Sequence, residues 1–210
     1  MNRAGLAASG AMASWLSLHP QPAFADSSKI STVVIDAGHG GDDSGAAYGK
    51  VYEKHLNLDV SRRLEILLRR VGYKTVMTRD RDVFIPLVTR SEIANKYRNG
   101  VFVCIHFNWS WRSSAYGVES FYYSYDGYKF ASRIHASVTR KLHPEDRGLK
   151  REKFSVLRNT RIPAVLVEGG FISNSNERSR VLQAWYRQAL AESICFGIMI
   201  YDSDLQHGAL

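Results

Sequence analysis

The sequence predicts a single α/β domain, built on a largely parallel, twisted central sheet with helices on both faces. Three observations lead to this fold class. Segments with strand patterns alternate with segments of helical periodicity, which is the order of elements in parallel sheets. The segments VFVCIH and AVLV are apolar on both faces, as buried parallel strands are. With 210 residues, of which 45% are hydrophobic, the chain is long enough for one core.

The expected elements follow one another in order along the chain. A run of branched apolar residues, Val33 to Ile35, predicts a first strand over 31–36. A helix is expected over 53–71, where Leu56, Val60 and later apolar residues recur at steps of three or four. By the same criteria we expect further strands over 73–78, 101–106, 117–123 and 164–167, and further helices over 87–97, 129–141 and 177–201.

The N-terminal segment differs in composition from the rest of the chain. It contains one early cation, Arg3, then an Ala-rich apolar stretch and the sequence AFAD, in which Ala23 and Ala25 form a small-x-small cleavage pattern. We therefore predict a signal peptide over residues 1–25 and an exported domain over residues 26–210, working in the periplasm or outside the cell. A disordered tail is the alternative interpretation.

The chain is basic, with a formal net charge of +8. This charge suits an anionic partner, which is either a cell-envelope surface or nucleic acid. No nucleic-acid-binding motif is found, so we expect the envelope surface and no nucleic acid. No apolar run reaches the length of a membrane span, which predicts no transmembrane anchor. The two cysteines, Cys104 and Cys195, lie in apolar segments and are expected to be buried.

Three polar side chains occur where predicted strands end. His39 follows the first strand within the stretch VVIDAGHGGDDSGA, His106 ends VFVCIH, and Glu168 follows AVLV. Ligands of open α/β sheets bind at the carboxyl ends of the strands. We therefore expect these three side chains to share one site. The glycine-rich turn around His39 lacks both the lysine of a phosphate-binding P-loop and the spacing of a dinucleotide motif.

Glu53 joins this group from a helix. It continues the apolar stripe of the helix over 53–71, so its carboxylate should face the core, although an acid in a first turn can also serve the helix dipole alone. Two imidazoles and one carboxylate form a catalytic zinc set that leaves a position for water. His39, Glu53 and His106 are therefore candidate Zn2+ ligands, and Glu168 is a candidate general base. These parts predict hydrolysis of an amide or an ester.

Six segments and the closing helix carry a resemblance that covers residues 30–201. The segments are IDAGHGGDDSGA, YEKHLNLDVSRRLEILL, VMTRDRDVFIPLVTRSEIAN, VFVCIHFN, GVESFYY and VLRNTRIPAVLVEGGFISNSNE. In these segments and their order the sequence resembles the zinc-dependent N-acetylmuramoyl-L-alanine amidases of the amidase 3 family. The resemblance implies His39, Glu53 and His106 as zinc ligands and Glu168 as the catalytic glutamate.

The resemblance also implies an activity. The expected protein is a peptidoglycan hydrolase, acting as a monomer, that uses zinc-activated water to cleave the amide between N-acetylmuramic acid and L-alanine of the stem peptide. One alternative is a catalytically silent wall-binding or regulatory module on the same fold. A second is a two-metal phosphoesterase, whose expected ligands are Asp36, His39, Asp42 and Asp43.

Four further expectations concern the surroundings of the site. We expect Asp36 to accept a hydrogen bond from a ligand histidine; an acid that serves only the turn at the strand end is the alternative. Cys104 stands where the family often has Ser, and we expect a buried thiol rather than a fourth ligand. Trp109 and Trp111 are expected to line the groove, and contact with a partner is the alternative. Some members of the family carry an inserted helix that covers the zinc, but the short connection after Tyr123 leaves no room for one here.

Overall fold

The computed structural model of the protein describes residues 29–210, and the predicted signal peptide over 1–25 lies outside the described residues. The elements in chain order are β1 (Thr32–Ala37), β2 (Ala47–Tyr48), β3 (Val51–Tyr52), α1 (Glu53–Arg70), β4 (Lys74–Met77), α2 (Leu87–Ala94), β5 (Gly100–Asn108), β6 (Val118–Tyr122), α3 (Tyr125–Leu142), β7 (Asp146–Arg151), α4 (Ser155–Arg158), β8 (Ala164–Phe171), α5 (Ser175–Val181) and α6 (Ala184–His207).

Six strands form the central sheet in the order β4-β1-β5-β8-β6-β7, and β2 pairs with β3 in a separate hairpin. The neighbours β4, β1, β5 and β8 are all parallel. β6 is antiparallel to β8 and parallel to β7. The predicted α/β fold with a largely parallel sheet is confirmed. Because β1, β5 and β8 run in the same direction, their carboxyl ends meet at one edge of the sheet.

The side chains of the central strands alternate between two apolar cores. Val33 and Val103 point into the larger core, which α1, α3 and α6 cover. Val34 and Phe102 point into the smaller core, which contains residues of α2 and α4. Period-two alternation with apolar residues on both faces is what a sheet between two helical layers requires. The prediction of helices on both faces is therefore confirmed.

One predicted helix, over 177–201, is two helices in the structure. The first begins after Asn174, whose side chain accepts hydrogen bonds from the backbone N–H groups of Asn176 and Glu177. Gln183 then adopts an extended backbone with ψ of 133°, and α6 begins after it. α5 packs on β8, whereas α6 packs on α1 and α3. An apolar pattern that continues across the break does not reveal this change of direction.

Four elements of the structure were not predicted from the sequence pattern: the short strands β2 and β3, the strand β7 and the helix α4. β7 has the sequence DRGLKR, which lacks apolar alternation because it lies at the edge of the sheet. Charged side chains are common on edge strands, where they oppose pairing with another chain. Among residues 29–210, no helix combines the length and apolar character needed to cross a bilayer.

Candidate metal centre

The loop after β1 turns sharply to present His39 at the edge of the sheet. The φ angle of His39 is 60°, in the left-handed region that few residues other than glycine adopt. Gly40 and Gly41 follow with φ angles of 130° and 60°. Backbone hydrogen bonds between Gly40 and Asp43 close the turn. Strained backbone at a polar side chain is a common feature of functional sites.

Two buried arginines hold this loop through its carbonyl groups. The Arg79 guanidinium donates to the carbonyl oxygens of Ala37 and Gly38 at 2.8 and 2.9 Å. The Arg90 guanidinium donates to the carbonyl oxygens of Ala37 and His39 at 2.8 and 2.9 Å. Both side chains are almost fully buried, so these bonds are shielded from water. The two arginines therefore stabilise the loop conformation that presents His39, through hydrogen bonds to the loop backbone.

Glu53, the first residue of α1, lies between the two histidines. Its Oε1 atom is 2.8 Å from His106 Nδ1 and accepts a hydrogen bond from the backbone of Phe107 at 3.1 Å. Its Oε2 atom is 3.2 Å from His39 Nε2 and accepts a hydrogen bond from the backbone of Ala46 at 2.8 Å. The side chain is 4% exposed, as expected from its place on the apolar stripe of α1.

His39, Glu53 and His106 form the one three-residue group suited to a metal ion among residues 29–210, with donor atoms within 4.8 Å of one another. The rings of the two histidines meet edge to face at 4.8 Å. With ligands at 2.0–2.1 Å, the edge of a zinc tetrahedron is roughly 3.4 Å. The 3.2 Å between His39 Nε2 and Glu53 Oε2 is close to that length. The donor types and this separation therefore suit a zinc ion.

Glycines make room for these ligand side chains. A Cβ atom on Gly38 would lie 2.3 Å from the His106 ring, and one on Gly45 would lie 2.5 Å from Glu53 Oε2 and 2.6 Å from the His39 ring. Real Cβ atoms essentially never approach other atoms this closely. The low side-chain content of the loop is therefore explained by the space that the three candidate ligands occupy.

The charges of the site favour a cation. Burial raises the pKa of the Glu53 carboxyl, but hydrogen bonds from His106 and His39 outweigh burial and lower it well below its usual range. Burial lowers the pKa of His39, but Glu53 and Asp43 outweigh burial and raise it. The carboxylate is thus ionised at neutral pH, and protons compete with a metal ion for the His39 imidazole.

Asp43, and not Asp36, orients a candidate ligand histidine. Asp43 Oδ2 lies 2.8 Å from His39 Nδ1, which leaves His39 Nε2 facing Glu53. The prediction that Asp36 plays this part was wrong. Asp36 is fully buried and pairs with Arg90 at 2.8 Å, and it accepts a further bond from the Cys104 thiol at 2.9 Å. A carboxylate on the second nitrogen of a ligand histidine fixes the tautomer and the ring orientation.

Glu168 brings a second glutamate to the same edge of the sheet, directly opposite His106 in the register of β5 and β8. Its Oε2 atom is buried and has no hydrogen-bond partner in the described part of the chain. Burial raises the pKa of the Glu168 carboxyl well above its usual range, and the negative charges of Glu53 and Glu119 raise it further. An unpartnered buried carboxylate oxygen is rare in proteins and marks Glu168 as a candidate proton acceptor.

A cavity of about 460 Å³ joins these groups. His39, His106 and Glu168 line one side of it. Much of the remaining lining is apolar and comes from α2, α4, the residues just before these helices, and β8, with the side chains of Phe84, Ile85, Leu87, Phe154, Val156 and Leu166. A concave apolar pocket with a few converging polar groups is the usual form of a site for a small ligand or a substrate segment.

The remaining candidates of the sequence analysis lie apart from the metal-binding group. Burial and the negative charge of Asp36 raise the pKa of the Cys104 thiol well above its usual range, so this side chain is a hydrogen-bond donor and not a thiolate ligand. Asp42 is exposed. Of the four ligands expected for a phosphoesterase, only His39 belongs to the metal-binding group.

Sequence reasoning missed the roles of Asp43, Arg79 and Arg90. Asp43 lies four residues after His39 in the sequence. In a glycine-rich loop this spacing does not show whether the two side chains point toward each other. Arg79 follows β4 and lies about 40 residues from the carbonyl groups that it binds. Arg90 lies within α2, about 50 residues from the carbonyl groups that it binds. Their roles depend on how distant segments pack, and no local pattern in the sequence records it.

These features define an α/β protein with a candidate single-ion metal centre at the carboxyl edge of its sheet. Residues 33–199 match the family model described as N-acetylmuramoyl-L-alanine amidase, and the chain belongs to this family.

Related proteins support the assignment over most of the described chain. The chain is 37% identical over 190 residues to YqiI of Bacillus subtilis, a protein named uncharacterized, and the match covers 89% of this chain and 92% of YqiI. It is 34% identical to the N-acetylmuramoyl-L-alanine amidase LytC of the same organism, with 81% of this chain matched to 35% of LytC. The catalytic domain of the amidase CwlV from Bacillus (Paenibacillus) polymyxa var. colistinus has a TM-score of 0.80 and 36% identity, covering 82% of this chain and 98% of that domain.

Proposed function

We propose that this chain is a zinc-dependent peptidoglycan hydrolase that cleaves the amide between N-acetylmuramic acid and L-alanine of the stem peptide. Membership of the amidase family supports the choice of bond. The observation that carries the proposal is the unpartnered Glu168 oxygen, on a cavity that the candidate ligands His39 and His106 also line. A silent wall-binding module would have no need for a buried carboxylate that lacks a partner, since such a group costs stability.

His39, Glu53 and His106 would hold the zinc ion, and Asp43 would keep the His39 ring in place. A zinc ion bound there lowers the pKa of a coordinated water and polarises a carbonyl group. The three residues supply the two imidazoles and one carboxylate that such catalytic sites use. Arg79 and Arg90 bind the carbonyl groups of the His39 loop, which would hold His39 in position before substrate binds.

Glu168 would manage the protons of the reaction. Its carboxylate takes a proton from the attacking water as the water oxygen bonds to the amide carbon. The same side chain then gives that proton to the amide nitrogen, and the carbon–nitrogen bond breaks to release the stem peptide with a free amine. Burial and two negative neighbours raise the pKa of Glu168, so its ionised form is a stronger base than an exposed glutamate, and the positive charge of a bound zinc ion would favour that ionised form.

Export and targeting form part of the proposal. The predicted signal peptide over 1–25 would direct residues 26–210 to the periplasm or to the outside of the cell, where peptidoglycan lies. The positive net charge would favour contact with an anionic envelope surface and does not require nucleic acid. We also propose that the domain works as a monomer.

The domain would need no activating partner. β6 ends at Tyr122 and α3 begins at Tyr125, so only two residues separate them and no covering helix lies at this point. The side chain of Ser124 accepts a hydrogen bond from the backbone of Gly127 and caps α3, which fixes this short connection.

The decisive experiment is mass spectrometry of purified peptidoglycan after incubation with residues 26–210 and zinc, with no other protein. Free stem peptides that begin with L-alanine are expected. The variant Glu168→Gln is the matched control, because it keeps the shape of the site and removes the proton acceptor. Products cut at another bond would refute the assignment of the substrate bond, and turnover that requires a second protein would refute independence from an activator.

A further inference from the structure

Two tryptophans in the loop after β5 are exposed, and neither of them lines the cavity as the sequence analysis expected. Trp111 is 93% exposed and Trp109 is 40% exposed. Their rings meet edge to face with centroids 4.7 Å apart. Large apolar side chains that gather on a surface commonly mark a place of contact with another molecule. The two rings, which we call the indole pair, therefore need an explanation beyond the folding of the domain.

The loop that carries the indole pair is firmly anchored. The backbone N–H of Trp109 donates to the side chain of Asn108 at 2.8 Å, and that of Ser110 donates to the hydroxyl of Ser173 at 3.0 Å. The Asn174 side chain donates to the carbonyl of Ser113 at 2.9 Å. The loop is thus tied both to β5 and to the connection between β8 and α5. Holding a binding side chain in place before contact lowers the entropy cost of binding.

The indole pair continues the edge of the sheet that holds the candidate metal centre. Trp109 follows the last residue of β5, three positions after His106. Three residues span at most roughly 10 Å, even when fully extended. The backbone of Trp109 therefore lies within about that distance of His106, and a polymer bound at His106 and Glu168 is long enough to reach the indole pair.

The sequence neighbours of the indole pair are polar. Ser110, Arg112, Ser113 and Ser114 flank the two rings in the sequence WSWRSS, and no aliphatic side chain occurs in this segment. A surface that enters lipid would combine aromatic with aliphatic residues. Aromatic faces among hydroxyl groups are suited to a ligand that offers both C–H groups and hydroxyls, which is the chemistry of a pyranose ring.

We propose that the indole pair is a saccharide subsite, which binds sugar rings of the glycan strand on the muramoyl side of the scissile amide. This inference rests on the proposed function, because that function supplies a substrate with a sugar polymer attached. Trp111 stacks on one pyranose face, and Trp109 supports the Trp111 ring from its edge. The subsite favours glycan strands over substrates that contain a single sugar.

The binding test uses isothermal titration calorimetry of residues 26–210 with chitotetraose, a β-1,4-linked tetramer of N-acetylglucosamine. Trp111→Ala should weaken binding by roughly tenfold, as expected for the loss of one aromatic contact. Trp185→Ala is the matched control, because Trp185 is also exposed, at 59%, but lies on α6. Its ring contacts the Tyr186 ring edge to face. The control should bind as the unsubstituted chain does.

The kinetic test compares two substrates, peptidoglycan glycan strands and a muramoyl tripeptide with a single sugar. Trp111→Ala should raise KM for the strands by roughly tenfold and leave kcat and the kinetics of the small substrate unchanged. Trp185→Ala should leave KM unchanged for both substrates. A merely structural role of Trp111 would lower activity on both substrates alike.

Three outcomes would overturn the proposal. The first is that the unsubstituted chain does not bind chitotetraose. The second is that Trp111→Ala binds chitotetraose as tightly as the unsubstituted chain does. The third is that Trp111→Ala loses binding to phosphatidylglycerol vesicles while it still binds the sugar. The last result would assign the indole pair to a lipid surface. Absence of amide cleavage by the unsubstituted chain would refute the proposed function, whereas the calorimetry still decides whether the indole pair binds sugar.

Discussion

Gly45→Ala should disable the candidate metal centre without unfolding the domain. A Cβ atom at this position would lie 2.5 Å from Glu53 Oε2 and 2.6 Å from the His39 ring. Ordinary contacts of a Cβ atom begin near 3.4 Å, so the two candidate ligands must withdraw by about 1 Å. A displacement of that size at reacting groups costs about 100-fold in rate. Zinc affinity should fall by about 10- to 100-fold, as it does when the support of a ligand is lost.

Gly49→Ala is the matched control for this substitution. Gly49 has a φ of 58°, close to the 63° of Gly45, but a Cβ atom there would meet nothing within 4 Å. Both alanines therefore suffer the same left-handed backbone cost, roughly 1–2 kcal/mol in the free energy of unfolding. Only Gly45→Ala adds the collision with the ligands. The pair separates backbone strain from damage to the site.

Three measurements test this reasoning. Urea unfolding gives the stability of each variant, zinc titration against a competing chelator gives the metal affinity, and hydrolysis of a muropeptide gives kcat/KM. Both variants should lose a similar amount of stability, and only Gly45→Ala should lose zinc affinity and turnover. If Gly45→Ala binds zinc and turns over as Gly49→Ala does, then the tight fit of the loop around the ligands is not what maintains the site.

Three further predictions follow from the contacts. His39→Ala should lose zinc and activity together, whereas Glu168→Gln should keep zinc and lose about 10²–10⁴-fold in kcat. Metal analysis and kinetic measurements check both variants. An active Glu168→Gln enzyme would contradict the role of Glu168 in proton transfer. Asp36→Ala should lower the free energy of unfolding by about 3 kcal/mol. This is the low end for a broken buried ion pair, because Arg90 keeps its hydrogen bonds to backbone carbonyl groups. A loss of less than about 1 kcal/mol in the free energy of unfolding, measured with urea, would contradict this prediction. Burial raises the pKa of the Asp59 carboxyl, but hydrogen bonds from Arg63 and Arg187 outweigh burial and lower the pKa. The ionised Asp59 therefore stabilises the fold above about pH 4, and this stabilisation is lost as the pH falls through the lowered pKa. Urea unfolding of Asp59→Asn should therefore show a deficit at pH 7 that shrinks toward pH 3, and a deficit independent of pH would contradict the assignment.

The position of Glu53 illustrates what a local pattern can predict. The apolar residues of α1 recur at helical spacing, and the same spacing places Glu53 on their face. In the structure this face is buried against the sheet, and Glu53 lies between His39 and His106. The strand ends of β1, β5 and β8 could likewise be predicted, because buried parallel strands have continuous apolar runs that stop at a polar residue.

The two aspartates near His39 show where such reasoning ends. Asp36 and Asp43 flank the same histidine at similar distances in sequence, and either is suitable for its second nitrogen. The choice depends on Arg90, which lies 54 residues from Asp36 and pairs with it where both side chains are buried. Asp36 is held in that pair, and Asp43 is the aspartate that reaches His39 Nδ1.

The sequence by itself determined the fold class, the approximate bounds of most elements and the four side chains expected at the carboxyl edge. These follow from periodicity and from the ends of apolar runs, which report local burial. Only the tertiary structure decided which acid supports His39, how Arg79 and Arg90 hold its loop, where the C-terminal helix breaks and why glycine is needed at positions 38 and 45. Each of these depends on atoms brought together from distant segments, and the free energy of such contacts is not written in any single stretch of the chain.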